Sequence, residues 1–245
     1  ADGDFVPDCC QGGLGCGVEP IQWRVEDGGN GRWYAAMPCH EEWMGARQDA
    51  QAVGADLAVM PNEQTHQFLI DTFPPIEGYW IGGYQDPKAP DHGKPAGGWR
   101  WIGGEPIDLP AWCPGQPDNG VGAQHVLRLR FGCFDDIEEV QPCGGLIQAS
   151  LVEWSADCNG DGIVDYGQIL DGTLVDADGD FVPDCCDDPG GCDGLPIQWR
   201  VEDGGNGHWY QAVNPSSLVS WYEARDQCEA VGGHLATFTS AEEHS

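Results

Sequence analysis

Trp112–Asn119 reads WCPGQPDN. Pro-Asp-Asn is turn chemistry, so this stretch is a loop carrying an amide, Gln116, and a carboxylate, Asp118, on either side of a proline. Upstream, Tyr79–Gly82 (YWIG) and the Trp99 and Trp101 region (GGWRWIGGEP) read as short strands with aromatic alternation. Farther back, Trp43–Val53 (WMGARQDAQAV) has apolar residues at helical spacing and stops at Gly54, a residue suited to closing a helix. LAVM follows, and Asn62 is placed to cap a second helix from Glu63. Downstream, Gly- and Pro-rich loops lead to Val126–Leu129 (VLRL), and Ala149–Trp154 (ASLVEW) reads as the last strand. Two helices and several short strands separated by long loops make an α+β domain.

The whole chain fits such a loop-rich architecture. It has 245 residues, 37 of them Gly and 18 Pro, which is too many for a helical bundle, and its eleven Trp can fill a core. Ten basic against 41 acidic side chains give a net charge of -31. That surface repels nucleic acid and anionic membranes, and no membrane-spanning run is present. The acids sit at fixed spacings among Trp, Cys and Gly rather than in blocks, so a disordered acidic tail is a poor description. Fixed carboxylates need a counter-charge, and outside cells that is usually Ca²⁺. Twelve Cys, with adjacent pairs at Cys9-Cys10 and Cys185-Cys186 and no CxxC, favour disulfides over zinc and a secreted or cell-surface location.

The sequence repeats. ADGDFVPDCC occurs at Ala1–Cys10 and at Ala177–Cys186, and PIQWRVEDGGNG at Pro20 and Pro196. After a two-residue insertion, Trp43, Arg47, Gly54 and Leu57 align with Trp221, Arg225, Gly232 and Leu235. The expected organisation is a partial acidic loop and Cys-rich linker at 1–18, a large domain at 19–155, acidic loops with a Cys-rich linker at 156–194, and a truncated second domain at 195–245. That last segment lacks the parts needed to close a core.

With Trp43 and Ala46-Arg47, Gly54 with Leu57-Ala58, Glu63 with Phe68-Leu69, Trp80-Ile81-Gly82, Trp99-Arg100-Trp101, WCPGQPDN and LVEW, the chain resembles the C-type lectin domain. The resemblance runs over Glu19–Ser155, and partly over Leu195–Ser245. It implies a C-type-lectin-like fold with two helices, short antiparallel strands and a long loop region, in which most Trp are core. The helix Cys usual in the family is Ala50 here and its partner is Val152, as if apolar packing replaced one disulfide. Cys133 with Cys143 is then one pairing to expect, and Cys39 with Cys113 another.

The resemblance also implies a Ca²⁺ site in the long loops, where sugar hydroxyls complete the metal shell. The ligands carried over are Gln116 and Asp118 around a cis Pro117, Gln124 where the family has Glu, and Asp135 and Asp136 after Phe134. Three carboxylates and two amides match the family's usual count. Gln116, Asp118, Asn119, Gln124 and Asp135 are the expected carbohydrate contacts. QPD resembles galactose-preferring members, but the reversed acid-amide order at Gln124 and Asp135, and a Gly-Val-Gly loop lacking an aromatic ring, argue against a strong galactose preference.

Two acidic loops follow. Asp157, Asn159, Asp161, the Ile163 carbonyl and Asp165 occupy alternating positions, and so do Asp176, Asp178, Asp180, the Val182 carbonyl and Asp184. Alternating oxygens on a Gly-containing turn converge on one centre, as Ca²⁺ requires. Gln168 replaces the Glu that closes an EF-hand. The loops resemble thrombospondin type 3 and dockerin-like calcium repeats, irregular linkers that would act as calcium-set spacers. Asp2, Asp4 and Asp8 repeat the second loop.

Three functions compete for this sequence. Calcium-dependent glycan recognition, with avidity from tandem copies, is favoured by QPDN and the ligand charge. A protein-binding or structural adhesion module, with an extracellular protein as partner, is favoured by the ligand substitutions. An enzyme is disfavoured: His40, His66, His92, His125, His208, His234 and His244 form no HExxH, and no GxSxG or phosphate loop occurs.

Overall fold

A computed structural model describes residues 19–120, 122–187, 197–198, 206–211 and 219–237. The expected first loop with Asp2, Asp4 and Asp8, and the linker containing Cys192, lie outside them. The chain divides into two compact units between Asp187 and Asp188.

The first unit is built on one sheet. Its strands are β1 (Ile21–Gln22), β2 (Trp33–Pro38), β3 (Asp56–Leu57), β4 (Tyr79–Gln85), β5 (Trp99–Trp101), β6 (Val126–Arg130), β7 (Cys133–Ile137) and β8 (Ala149–Trp154). The order is β1-β2-β8-β4-β6-β7, with β3 paired to β8 and β5 to β4. Antiparallel pairing from Trp33↔Trp154 to Pro38↔Ala149 joins the two ends of the domain sequence, while β4 runs parallel to β8. Helix α1 (Trp43–Gln51) ends before Gly54, whose φ of 67° is the left-handed turn expected there. Helix α2 (Glu63–Thr72) starts as expected, with the Asn62 side chain accepting from the Thr65 N–H.

On β5 the alternation of Trp99, Arg100 and Trp101 sends both rings inward. Trp43 and Trp80 lie in one core cluster with Trp154, and Trp99 and Trp101 in another with Tyr34 and Phe134. Ala50 and Val152 are both fully buried in the first cluster, where apolar packing stands in place of a bridge. The disulfides differ from expectation: Cys39 pairs with Cys143, and Cys113 with Cys133. Strand pairing decides this. The Trp112↔Phe134 bridge brings Cys113 to the start of β7, and Cys39 at the end of β2 lies against the Ile147 carbonyl (3.6 Å).

The segment after Ser155 packs in the same unit as the strands before it. Helices α3 (Asp165–Leu170) and α4 (Asp184–Asp187) belong to the same unit, and Tyr166 joins the core cluster of Trp154. In the second unit, β9 (Ile197–Gln198) pairs with β10 (Trp209–Tyr210), and α5 (Trp221–Ala230) opens with a Ser220–Glu223 capping box. The β1–β2 pairing and the Asn30–Tyr34 side-chain hydrogen bond recur there as Asn206–Tyr210.

One buried acid gives the fold a pH dependence. Glu153 on β8 is 5% exposed, with Arg32 Nη1 donating to it at 2.8 Å and the Val59 N–H at 3.4 Å. Burial pushes its carboxyl up to about 7, against the opposing pull of Arg32. The folded chain therefore holds this proton more tightly than the unfolded chain. Its contribution is full below the ordinary glutamate value and is lost as pH rises through about 7. Between about pH 5 and 7.5 the wild type is expected to lose about 2–3 kcal/mol relative to Glu153→Gln, read from urea melts.

Candidate functional site

The long loop between β5 and β6 delivers the QPDN turn to the β6–β7 edge. The Gln116–Pro117 peptide is cis, as expected, and Asn119 has φ 50°. The turn is held from beneath by Asp136, which is 1% exposed: the backbone N–H groups of Asp118 and Asn119 donate to its two oxygens at 3.0 and 2.8 Å. Burial pushes the Asp136 carboxyl above its ordinary range, these two N–H groups pull it back, and the charge of Asp118 adds to the rise.

Asp118 Oδ1 and Gln124 Oε1 converge on one backbone group, both accepting from the Gly120 N–H. Asn119 Oδ1 accepts from the Gln124 N–H at 3.2 Å. Gln116 Oε1 is buried and has no hydrogen-bond partner. A buried acceptor left alone is costly, and a hard cation would satisfy it. Gln116, Asp118, Gln124 and Asp136 are the residues of this loop region that could offer oxygen donors to a calcium ion, with Asn119 beside them.

Asp135 does not join them. Neighbouring residues on a strand face opposite ways, so Asp136 points at the turn and Asp135 at the other side of β7. There Arg128 Nε and Nη2 donate to its Oδ2 at 2.9 and 2.6 Å, with Asp135 3% and Arg128 5% exposed. This removes Asp135 from the expected metal and sugar contacts and leaves two carboxylates and two amides. The resemblance carries Asp135 over with Asp136 as an adjacent pair, and the sequence does not show that both lie on strand β7 with opposite facing.

Lys94 is a contact that the motifs did not point to. Its ammonium donates to the Gln124 carbonyl at 2.9 Å and to Asn119 Oδ1 at 3.4 Å. The signal was compositional: the chain has only two Lys, Lys88 and Lys94, and both stand in the loop before Trp99. His125 pairs with Glu139 at 3.3 Å.

The acidic loops fold around their own carboxylates. In the first, Asp157 accepts from the N–H groups of Asp161 (3.1 Å) and Gly162 (2.9 Å), and Asp161 accepts from Ile163 N–H (2.9 Å) and Gln168 Nε2 (2.6 Å). Asn159 donates to Asp161 at 3.0 Å. Asp165 Oδ2 accepts from Cys158 N–H at 2.9 Å, while its Oδ1 is buried without a partner. Burial raises the Asp165 carboxyl, and Asp157 and Asp161 raise it further. Gln168, 3% exposed, belongs to this cluster. In the second loop, oxygens of Asp176, Asp178 and Asp180 lie within 4.8 Å of one another. Asp176 accepts from Gly179 and Phe181, Asp180 from Val182, and Asp184 from Ala177. Cys158–Cys186 ties the two loops together.

Among the described residues no helix is long and apolar enough to cross a membrane. No family model matches the chain. It is 28% identical over 107 residues to C-type lectin domain family 17, member A, of Homo sapiens, covering 44% of this chain and 26% of that protein. It is 26% identical over 103 residues to the type-2 ice-structuring protein of Hemitripterus americanus, covering 41% of this chain and 55% of that protein. The matches thus span about a quarter and about half of these relatives. Among solved structures it is similar to the mouse scavenger receptor C-type lectin carbohydrate-recognition domain, with 19% identity and a TM-score of 0.45, covering 58% of this chain and 100% of that one. By its sheet order, its two helices, its cis Gln116–Pro117 turn and its likeness to the human lectin-family protein, the region from Glu19 to Trp154 has an α+β, C-type-lectin-like fold.

Proposed function

We propose that this is a calcium-dependent carbohydrate-binding module of a secreted multidomain protein, acting in adhesion or glycan recognition. The observation that carries it is Gln116 Oε1, buried and unpartnered, beside a turn that brings Asp118, Gln124 and Asp136 together. Bound calcium would be held by these four side chains and would supply a Lewis-acidic centre with open positions for two sugar hydroxyls. Asn119 and Gln124 would then donate to and accept from those hydroxyls. Two carboxylates rather than three put calcium affinity in the weak, extracellular range, on the order of 10⁻⁴–10⁻³ M. Asp157, Asn159, Asp161, Ile163 and Asp165, and Asp176, Asp178, Asp180, Val182 and Asp184, are the proposed spacer sites. The sequence from Leu195 onward is proposed to be a second domain of the same kind.

Lys94 favours a second reading, a protein-binding or structural module without sugar. Its ammonium already donates to Asn119 Oδ1, one of the expected sugar contacts, and to the main-chain carbonyl of Gln124, beside another. A glycan array run with and without Ca²⁺ separates the readings. The carbohydrate reading expects calcium-dependent binding that Asp118→Ala weakens at least tenfold, about 1.4 kcal/mol. Binding to no glycan at millimolar Ca²⁺ would leave the second reading.

A further inference from the structure

The segment after β8 turns back onto the domain it has just left. The Asp165 N–H donates to the Ala156 carbonyl at 2.9 Å, and the next residue, Tyr166, is 2% exposed. Its ring stacks on Trp154 (centroids 4.5 Å apart, planes at 28°) and meets Trp33 edge-on at 5.4 Å. Phe181, from the second acidic loop, closes the group at 5.7 Å from Tyr166. The fit leaves little slack. A Cβ on Gly167 would lie 3.1 Å from Trp33 Nε1, and one on Gly54 would lie 2.5 Å from the Phe181 carbonyl oxygen.

Each anchoring ring is covalently next to a candidate ligand, Tyr166 to Asp165 and Phe181 to Asp180. Asp165 is itself 2% exposed, with one oxygen committed to the Cys158 N–H and the other buried and unpartnered in the loop that holds Asp157 and Asp161. With Tyr166 seated, that carboxylate oxygen is buried as well. A cation in the loop removes the cost. The two events share one backbone, so each must favour the other.

We propose that the first acidic loop is a calcium-operated clasp. A cation held by Asp157, Asn159, Asp161 and Asp165 seats Tyr166 against Trp154 and Trp33 and so sets the stability of the lectin-like domain. The inference rests on the calcium reading of the acidic loops, and it deepens that reading by giving the metal a partner surface. Occupancy of the long-loop site is not required for it.

The test uses the full 245-residue chain, titrated with Ca²⁺ after chelation. Uptake is followed by equilibrium dialysis, and hydrogen exchange is followed separately over residues 50–57, 112–126 and 164–170. Calcium is expected to slow exchange at least tenfold in both 164–170 and 50–57. Tyr166→Ala keeps all the ligands and is expected to bind this calcium about tenfold more weakly, with no response left in 50–57. Gly167→Val, which crowds Trp33 without touching Tyr166 or a ligand, is expected to act the same way if Tyr166→Ala folds poorly. Asp161→Asn is expected to abolish the response in 50–57 while sparing 112–126. If calcium enters the loop but 50–57 is unmoved, or if both seat variants bind it as tightly as wild type, the clasp is overturned and the calcium reading stands. If the loop takes up no calcium, both fall.

Discussion

Asp135→Ala is expected to destabilise the domain by about 3–5 kcal/mol, although the lectin resemblance would make this residue a metal ligand. Arg128 is buried, its Nε and Nη2 both donate to Asp135, and its Nη1 donates to the carbonyls of Leu146 (2.9 Å) and Glu77 (3.3 Å). Alanine would leave the guanidinium desolvated and without its nearest counter-charge. Glu77 contributes only from 3.8 Å. Replacing both partners by apolar residues of similar size, as in Arg128→Met with Asp135→Leu, is expected to recover most of the loss, because the pair's own desolvation cost goes with it. Denaturant melts in chelator measure the effect with no metal present. A ligand role would predict unchanged metal-free stability and weaker calcium binding. The pairing predicts the reverse, with calcium affinity of the folded chain within about twofold of wild type. A loss below about 1 kcal/mol would contradict the account.

The second large effect comes from the cysteines. Cys39–Cys143 closes a loop of sequence separation 104, and Cys113–Cys133 one of 20. Constraint of the unfolded chain grows with loop length, so removing the first by double alanine substitution is expected to cost about 4–5 kcal/mol, and the second about 3 kcal/mol. Cys39 anchors the end of β2, the strand that pairs with β8 along its whole length, so loss of this bridge also frees a sheet strand next to the core. Melts of the two double variants under non-reducing conditions give the order directly. Equal or inverted losses would contradict it.

What could be read from the residues was local. Asn62 before Glu63, Gly54 after α1, the aromatic alternation in Trp99–Trp101 and the limits of Ala149–Trp154 all follow from side-chain chemistry within a few positions, and all are found in the fold. The QPDN turn is of the same kind, while its cis proline is an expectation of the lectin resemblance. Non-local pairing was not legible. Strand β7, unrecognised within loop-like sequence, reverses the facing of Asp135 and Asp136 and brings Cys133 to Cys113. The same limit explains the spacer. The spacing of Asp157–Asp165 is visible in the sequence, but nothing there shows that Tyr166 returns to Trp154 across the domain end.

The calcium reading rests on two buried oxygens without protein partners, at Gln116 in the long loops and Asp165 in the first acidic loop, which are proposed to face the metal. Its most direct test is calcium uptake by the whole chain in equilibrium dialysis up to a few millimolar, with wild type beside Asp118→Ala and Asp161→Asn. More than one bound ion per wild-type chain is expected, with each variant losing a different one. Absence of uptake by the wild type across that range, or uptake unchanged in both variants, would contradict it.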